Sequence, residues 1–400
     1  MDMKRMEDKI AENASNGKFH TLAAFAFLAA IVLTNQWRHP AATGLYYAAA
    51  LLCAFLGLFP NLKKMEISWK VVVFAAVVAV TGLLNIALVG NSTAFKQLFT
   101  LVSIGIAYSF WHKSLDDRAL LAIILLNASV VAVRMIIFGQ EGPIYLSSST
   151  NFVSVHMLLP AVLYYAVREQ QGKKLILWPA GVVWLMCLLA RGRGGILFST
   201  FFLGGLVFVW FCKAFMKMSK RNRIILCMAL GLVVVAAVVL AMALDLVHRI
   251  GFLARFAENG LGDNGRFLIW GEFFPAVTAS AKNLLLGPDL STLVWASKMH
   301  GNLHNSFLNI QAYNGIVTVV MVLMAMFWAA WYGLKNKKWI YLVCMATFYL
   351  RGATDYIFWG SFGTPVFLFL LLPALEQEGC KKLVIDIPLI LGKLLPGKKK

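Results

Sequence analysis

In 400 residues, 60% are apolar and only 14% are charged, whereas soluble domains carry about 45–50% apolar and about 25% charged residues, so a soluble fold is excluded. Continuous apolar runs such as Val71–Gly90 and Ile224–Leu244 also exclude a transmembrane β-barrel, whose strands alternate apolar and polar residues. The formal charge of +19, from 37 Lys+Arg against 18 Asp+Glu, reads as the basic bias of cytoplasmic loops rather than as a nucleic-acid footprint.

A membrane helix takes about 20 apolar residues, and the chain accommodates about twelve. The polar N-terminus, 1–18, is expected in the cytoplasm. The first apolar run, Phe19–Trp37, has no evident cleavage site and reads as an anchor, not a removed signal. The predicted spans are 19–37, 41–60, 71–90, 97–111, 119–138, 152–167, 175–190, 196–212, 224–244, 315–333, 339–350 and 362–375. The transmembrane domain thus covers 19–375, with one long loop at 245–314 and a basic tail at 376–400. The six cysteines form no CxxC pair, which argues against a disulfide framework or a metal knuckle. Of the 37 Lys and Arg residues, 26 fall in the termini and the loops on their side, 10 fall in the opposite loops, and Arg134 lies within a span. This asymmetry predicts cytoplasmic termini. The tail is expected on the anionic inner leaflet.

Within the long outer loop, Arg266, Trp270, Phe273, Phe274 and Val277 recur at helical spacing. They predict an amphipathic helix on the membrane surface, bent at Pro275. The next segment, from His300 through His304-Asn305-Ser306-Phe307-Leu308 to Gly315, leads into the tenth span. One helix over 303–332 would place His304, Leu308, Gln311 and Gly315 on a shared face, with His304 at the outer mouth of the bundle.

The cations that defy the charge bias carry the functional reading. Arg191 and Arg193 crowd a glycine-rich turn ending at Gly195, and Arg266 opens the amphipathic helix. Arg134 sits near the outer end of the fifth span, where a charge is costly without a partner. Arg351 begins the last outer loop with Asp355 four residues on, which reads foremost as a structural pair. An anionic ligand on the outer face would account for these cations: Arg forks match phosphate oxygens, and a helix N-terminus adds backbone N–H groups. Against that stand an ordinary turn with snorkelling arginines and, for Arg266, a lipid headgroup contact. A histidine such as His304 can take a proton from a hydroxyl, or it can merely bond backbone at a helix start. His156, just inside the sixth span, lines the same cavity or is a satisfied polar residue of the bundle. His300 and His304 stand four apart but lack the Glu of HExxH, and Glu272 or Asp289 as a third ligand is arbitrary. No metal and no other cofactor is expected.

Arginines plus one histidine on the outer face suit a lipid diphosphate, with the arginines neutralising the leaving group and the histidine deprotonating a sugar hydroxyl. Here the chain resembles the bacterial O-antigen ligase and O-antigen polymerase superfamily. The matching stretches are Arg191–Gly195, Gly265–Trp270, His304–Leu308 with Gly315, and Gly352–Asp355, in motif order over roughly residues 185–375. The resemblance implies an all-α, GT-C-like polytopic protein of the bacterial inner membrane, with one partly helical periplasmic loop and its active site on the periplasmic face. It implies an inverting, metal-independent glycosyltransferase with undecaprenyl-diphosphate-linked glycan as donor. His304 would be the base or acceptor-orienting group. Arg266 and either Arg191 or Arg193 would hold the diphosphate, and Asn305, Arg134, His156, Arg351 and Asp355 would support the site. A ligase would use lipid A-core as acceptor; a polymerase would use a second lipid-linked glycan. The competing class is a multi-span transporter or a lipid-linked-glycan flippase, but no half-to-half similarity or midplane charge cluster of the kind transporters carry is visible.

Overall fold

Apolar chain in a membrane has no water for its backbone groups, so each run closes its hydrogen bonds within a helix. The computed structural model describes residues 3–37, 39–59, 64–91, 98–111, 115–139, 151–225, 228, 265–299, 301–376 and 381–386. Eight helices come first: α1 (Met3–Gln36), α2 (Pro40–Leu58), α3 (Trp69–Val89), α4 (Leu98–Trp111), α5 (Asp117–Phe138), α6 (Asn151–Gln170), α7 (Trp178–Leu189) and α8 (Arg193–Phe215). Three short helices follow, α9 (Arg266–Thr278), α10 (Ala281–Leu286) and α11 (Val294–Lys298). Then come α12 (Ser306–Lys335), α13 (Trp339–Ala353) and α14 (Thr364–Leu375).

Among the described residues, six helices are long and apolar enough to cross a membrane: Lys18–Gln36, Pro40–Leu58, Trp69–Val89, Asp117–Phe138, Arg193–Phe215 and Ser306–Lys335. Four shorter apolar helices accompany them at Phe99–Trp111, Trp178–Leu189, Trp339–Ala353 and Thr364–Leu375. Large apolar side chains such as Leu51, Val73, Ile136, Phe208 and Phe327 face outward from them, which an aqueous surface would not tolerate on this scale. The chain is therefore built as a helical membrane protein. Apart from residues 224, 225 and 228, the ninth predicted span lies outside the described residues, as does the loop segment 245–264.

The sixth predicted span differs from its neighbours. Every residue of α6 from Val153 to Val167 is buried. Its polar residues and Pro160 are tolerated because it faces protein on all sides rather than lipid. On the flank of the bundle, α2 and α4 approach through small residues. A Cβ on Gly57 would lie 1.9 Å from the Gly105 carbonyl oxygen, so this contact requires glycine.

Hydrogen bonds sort the helix termini into two ends. At one end Glu376 accepts from Ser68 N (2.8 Å) and from the Tyr108 hydroxyl. There Glu169 accepts from Ile340 N at 3.1 Å, and Asp117 pairs with Lys173 and Arg168. The same end carries a two-stranded antiparallel ribbon, β1 (Lys64–Ser68) with β2 (Lys382–Asp386), in register from Lys64 opposite Asp386 to Ser68 opposite Lys382. This corrects the purely helical expectation. The connector after α2 and the start of the tail pair with each other, satisfying backbone groups at the bundle's end; the tail's remainder lies outside the described residues.

The opposite end holds the N-termini of α6, α8, α12 and α14 and the C-terminus of α13. The segment 281–292 folds back onto it. Asn85 on α3 donates to Leu286 O and to Ala312 O (3.0 Å), and Gln311 donates to Leu284 O at 2.9 Å. The fit depends on a break in α12 at Gly315 (φ 71°, ψ −180°). That conformation is nearly closed to other residues. A Cβ at Gly315 would also lie 1.7 Å from Leu285 O. Gly315→Ala is expected to lift α10 from the bundle and to cost about 1–3 kcal/mol. Thermal unfolding in detergent would show a lower midpoint, and proteolysis would newly cut the 281–292 segment.

Candidate functional site

Helix α9 starts at Arg266 after Gly265, whose φ of 83° turns the chain. Its packed face is Ile269, Phe273 and Val277, which join Leu290, Ala296, Leu303, Ala312 and Tyr313 in a small core of their own. This corrects the expected face, since Phe274 points outward, and the helix runs through Pro275 to Thr278. Trp270 is half-buried, and its Nε1–H donates to Leu303 O at 2.9 Å. That bond fixes the residue just before His304.

His304 is not on α12. It adopts φ 49°, and its N–H donates to Asn302 Oδ1 at 2.8 Å. Asn305 then caps α12, accepting from Phe307 N (2.9 Å) and Leu308 N (3.2 Å). The asparagine cap stops the helix, and so the predicted continuous face over 303–332 does not form. The cap engages Asn305 Oδ1.

The loop between α13 and α14 meets this turn. Ser306 Oγ donates to Asp355 O (3.0 Å) and accepts from Ile357 N (2.9 Å) and Phe358 N (3.2 Å). The clamp brings Asp355 Oδ1 to 3.4 Å from His304 Nδ1. Asp355 Oδ2 stands 3.2 Å from an Arg351 terminal nitrogen, and Oδ1 accepts from Tyr356 N at 2.9 Å. Arg351 also donates to Asn151 O (3.2 Å) and to Thr354 Oγ1 (3.3 Å). The side chains of Arg351 and Asp355 are 3% and 4% exposed, whereas His304 is 29% exposed. The carboxylate and arginine are thus shielded supports, and the imidazole is the member that reaches solvent.

Burial alone would raise the pKa of Asp355, but the His304 contact, the Arg351 charge and the Tyr356 N–H outweigh it and hold the carboxyl down at about 2. At 3.4 Å the Asp355 carboxylate faces Nδ1 without closing a hydrogen bond to it, an arrangement that favours a proton on that nitrogen once the two draw together. The Nε2 lone pair is then left to accept a proton.

Arg351 ties this pair to the arginine-glycine turn. α8 begins at Arg193 after Gly192, without a side-chain cap on its first N–H groups. A Cβ on Gly194 would sit 3.8 Å from Arg351 Cζ, and the Phe198 ring centroid lies 5.9 Å from it. The charge of Arg266 also acts on Arg351. Arg351 Nε is buried with no hydrogen-bond partner among the described residues, an uncommon and costly state for a guanidinium N–H. Arg191 (φ 55°) and Arg193 are half-buried in the turn. The structure therefore gathers the arginine turn, Arg266, His304, Arg351 and Asp355 at one end of the bundle. Arg351–Asp355 is more than the isolated structural pair the sequence suggested. It is the joint between turn and histidine. Its signal in the sequence was a cation on the side where cations are scarce.

Two expected supporting residues have other neighbours. His156 on α6 has Nδ1 3.4 Å from Asn35 Nδ2 and stacks on Phe362 at 4.8 Å. Arg134 lies over the Phe138 ring, 4.4 Å from its centroid. Glu272 accepts from Trp295 N at 2.8 Å, and Asp289 accepts from Ser291 N at 2.9 Å, so both suggested third ligands are bound to backbone. His300 lies outside the described residues. Among the described residues no three His, Cys, Asp or Glu gather as a metal site. A scan against protein families, a search of curated proteins and a search of solved structures each find no match to this chain.

Proposed function

We propose that this chain is an inverting membrane glycosyltransferase of the O-antigen ligase type. In this reading it moves a glycan from undecaprenyl diphosphate to a sugar hydroxyl of lipid A-core. The observation that carries the reading is the chain of contacts from His304 through Asp355 to Arg351 beneath the arginine-glycine turn. It supplies an oriented base beside a group of cations, which is what displacement of a diphosphate needs.

In the proposed reaction His304 Nε2 takes the proton of the acceptor hydroxyl. The oxygen attacks the anomeric carbon opposite the diphosphate and the glycosidic C–O bond forms. The bond to the diphosphate breaks, and its electron pair leaves with the phosphate oxygen. Arg266, Arg191 and Arg193 neutralise the charge that grows there, aided by the uncapped N–H groups of α8. Among the described residues the reacting face presents one base and no carboxylate beyond Asp355, which favours a single displacement with inversion. No metal enters the scheme.

The lysine-rich loops and the ribbon share the end of the bundle away from His304. In this reading that end is cytoplasmic, as the positive-inside bias supports, and the proposed site faces the periplasm from the bacterial inner membrane.

The test is incubation of the purified protein with undecaprenyl-diphosphate glycan and either lipid A-core or a second lipid-linked glycan. Glycosylated lipid A-core is the expected product. Chain extension on the second lipid would mark a polymerase, and no transfer to either would sink the reading. Arg266→Lys is expected to lower kcat/KM about tenfold or more, because a point charge lacks the fork that matches two phosphate oxygens. Equal rates with Lys would mean that a point charge suffices there and that the fork geometry does no work.

A further inference from the structure

The loop that presents Asp355 to His304 has a second working side. Trp359 and Gly360 both take positive φ (75° and 73°), and this double turn carries the chain away from Asp355 towards α1, α2 and α4. Trp359 is itself locked, its Nε1–H donating to Asn314 Oδ1 at 2.8 Å. Beyond the turn, Ser361 and Phe362 form one wall of a cleft of about 350 Å³, which Asn35, Thr43, Tyr46 and Tyr47 help to line.

The chemistry of this cleft is selective. Among the described residues its lining holds no Asp, Glu, Lys, Arg or His, and what it presents is hydroxyls, amides and rings. It is not a plain lipid groove, because hydroxyl and amide groups alternate around it with ring faces. Tyr46 stands 5.3 Å from Tyr47 and 5.8 Å from Phe99, forming an aromatic shelf. Phe362 is held by its stack on His156, whose Nδ1 is 3.4 Å from Asn35 Nδ2. A pyranose ring has the matching two-sided character. Its axial C–H face packs on an aromatic ring, while its hydroxyl rim exchanges hydrogen bonds with hydroxyls and amides. The volume lies within the range of small-ligand pockets.

We infer that this cleft binds a neutral sugar unit of the acceptor glycan, with the Thr354–Gly363 loop as the wall shared by the cleft and the His304–Asp355 pair. The assignment to the acceptor, rather than to any glycan, rests on the transferase reading. The separation of charge supports it: cations cluster at the arginine-glycine turn and α9, where the donor's diphosphate would lie, and none is among the described residues of the cleft lining.

The experiment uses Tyr47→Ala and Thr43→Val, since both residues are exposed on α2; the first gives up the ring contact with Tyr46 and the second gives up a hydroxyl only. The full-length protein is assayed with lipid-linked donor and lipid A-core. The expected result is an acceptor KM raised about five- to tenfold per variant, the worth of one stacking or hydrogen-bonding contact, with donor KM and kcat unchanged. An acceptor KM unmoved in both variants overturns the proposal. Direct binding separates its fate from that of the transferase reading. The dephosphorylated outer-core oligosaccharide, released from lipid, is titrated into the detergent-solubilised protein by calorimetry. Binding to the wild type that weakens in both variants upholds the cleft even if no transfer is detected. Absence of binding, or binding indifferent to both changes, overturns the cleft even if transfer is robust.

Discussion

His304→Ala is expected to reduce glycan transfer by about 10²- to 10⁴-fold, the usual worth of a positioned general base, while the protein still inserts and unfolds at nearly its normal temperature. The stability half of this expectation follows from the geometry. The side chain is 29% exposed, and the turn is held by the His304 N–H on Asn302 and by the Asn305 cap, neither of which involves the imidazole. Asp355 keeps Arg351 and the Tyr356 N–H when the imidazole is gone. One complication is the φ of 49°, which costs alanine about 1–2 kcal/mol. His304→Asn removes that ambiguity, because asparagine tolerates the left-handed region and brings no base. Both variants should be equally inactive at saturating donor and acceptor, with the loss in kcat. Full transfer by either one would refute the base assignment, and activity in the Asn variant alone would trace the alanine defect to backbone strain.

The apolar runs were legible because lipid leaves one local solution for the backbone, but the first and tenth expected spans, 19–37 and 315–333, start well inside helices that begin at Met3 and Ser306, since a helix can run on past its apolar stretch. The candidate site was legible in part for a different reason. Arg191, Arg193, Arg266 and Arg351 stood out against the charge bias before any geometry was known. What the sequence could not carry was contact between distant segments. Nothing in the spacing of Ser306 and Asp355 reveals that one hydroxyl clamps the other's loop. The helical pattern after His304 pointed past the true boundary because an apolar face says where a helix packs, whereas a capping asparagine decides where it starts. The ribbon was missed because β1 and β2 are each five residues long and more than 300 positions apart. Strand pairing of that kind leaves no local signature. The full burial of α6 was not read from the sequence, although its polar residues mark a helix that lipid does not touch.

Asp355→Asn is expected to damage both stability and rate, and acid separates the two effects. The substitution leaves Arg351 charged, 3% exposed and without its counter-charge; breaking a buried pair from one side costs about 3–5 kcal/mol. It also removes the carboxylate charge that faces His304 Nδ1, so in the proposed reaction kcat should fall even in the fraction that remains folded. The sign of the pH dependence follows from the depressed carboxyl. Asp355 has a folded pKa of about 2 against an ordinary 3.8. Its ionised form is therefore favoured by folding, and this contribution is fully present above about pH 4. It is lost as the pH falls from there through about 2, when the folded protein must at last take up the proton. The difference corresponds to roughly 2 kcal/mol. Unfolding of the wild type and of Asp355→Asn in detergent, compared between pH 2 and pH 7, measures it. The wild type should be the more stable at neutral pH, and the gap between the two should narrow below about pH 4. Curves that stay parallel down to pH 2 would mean that Asp355 carries no special charge in the folded state. The orientation of His304 would then need another cause.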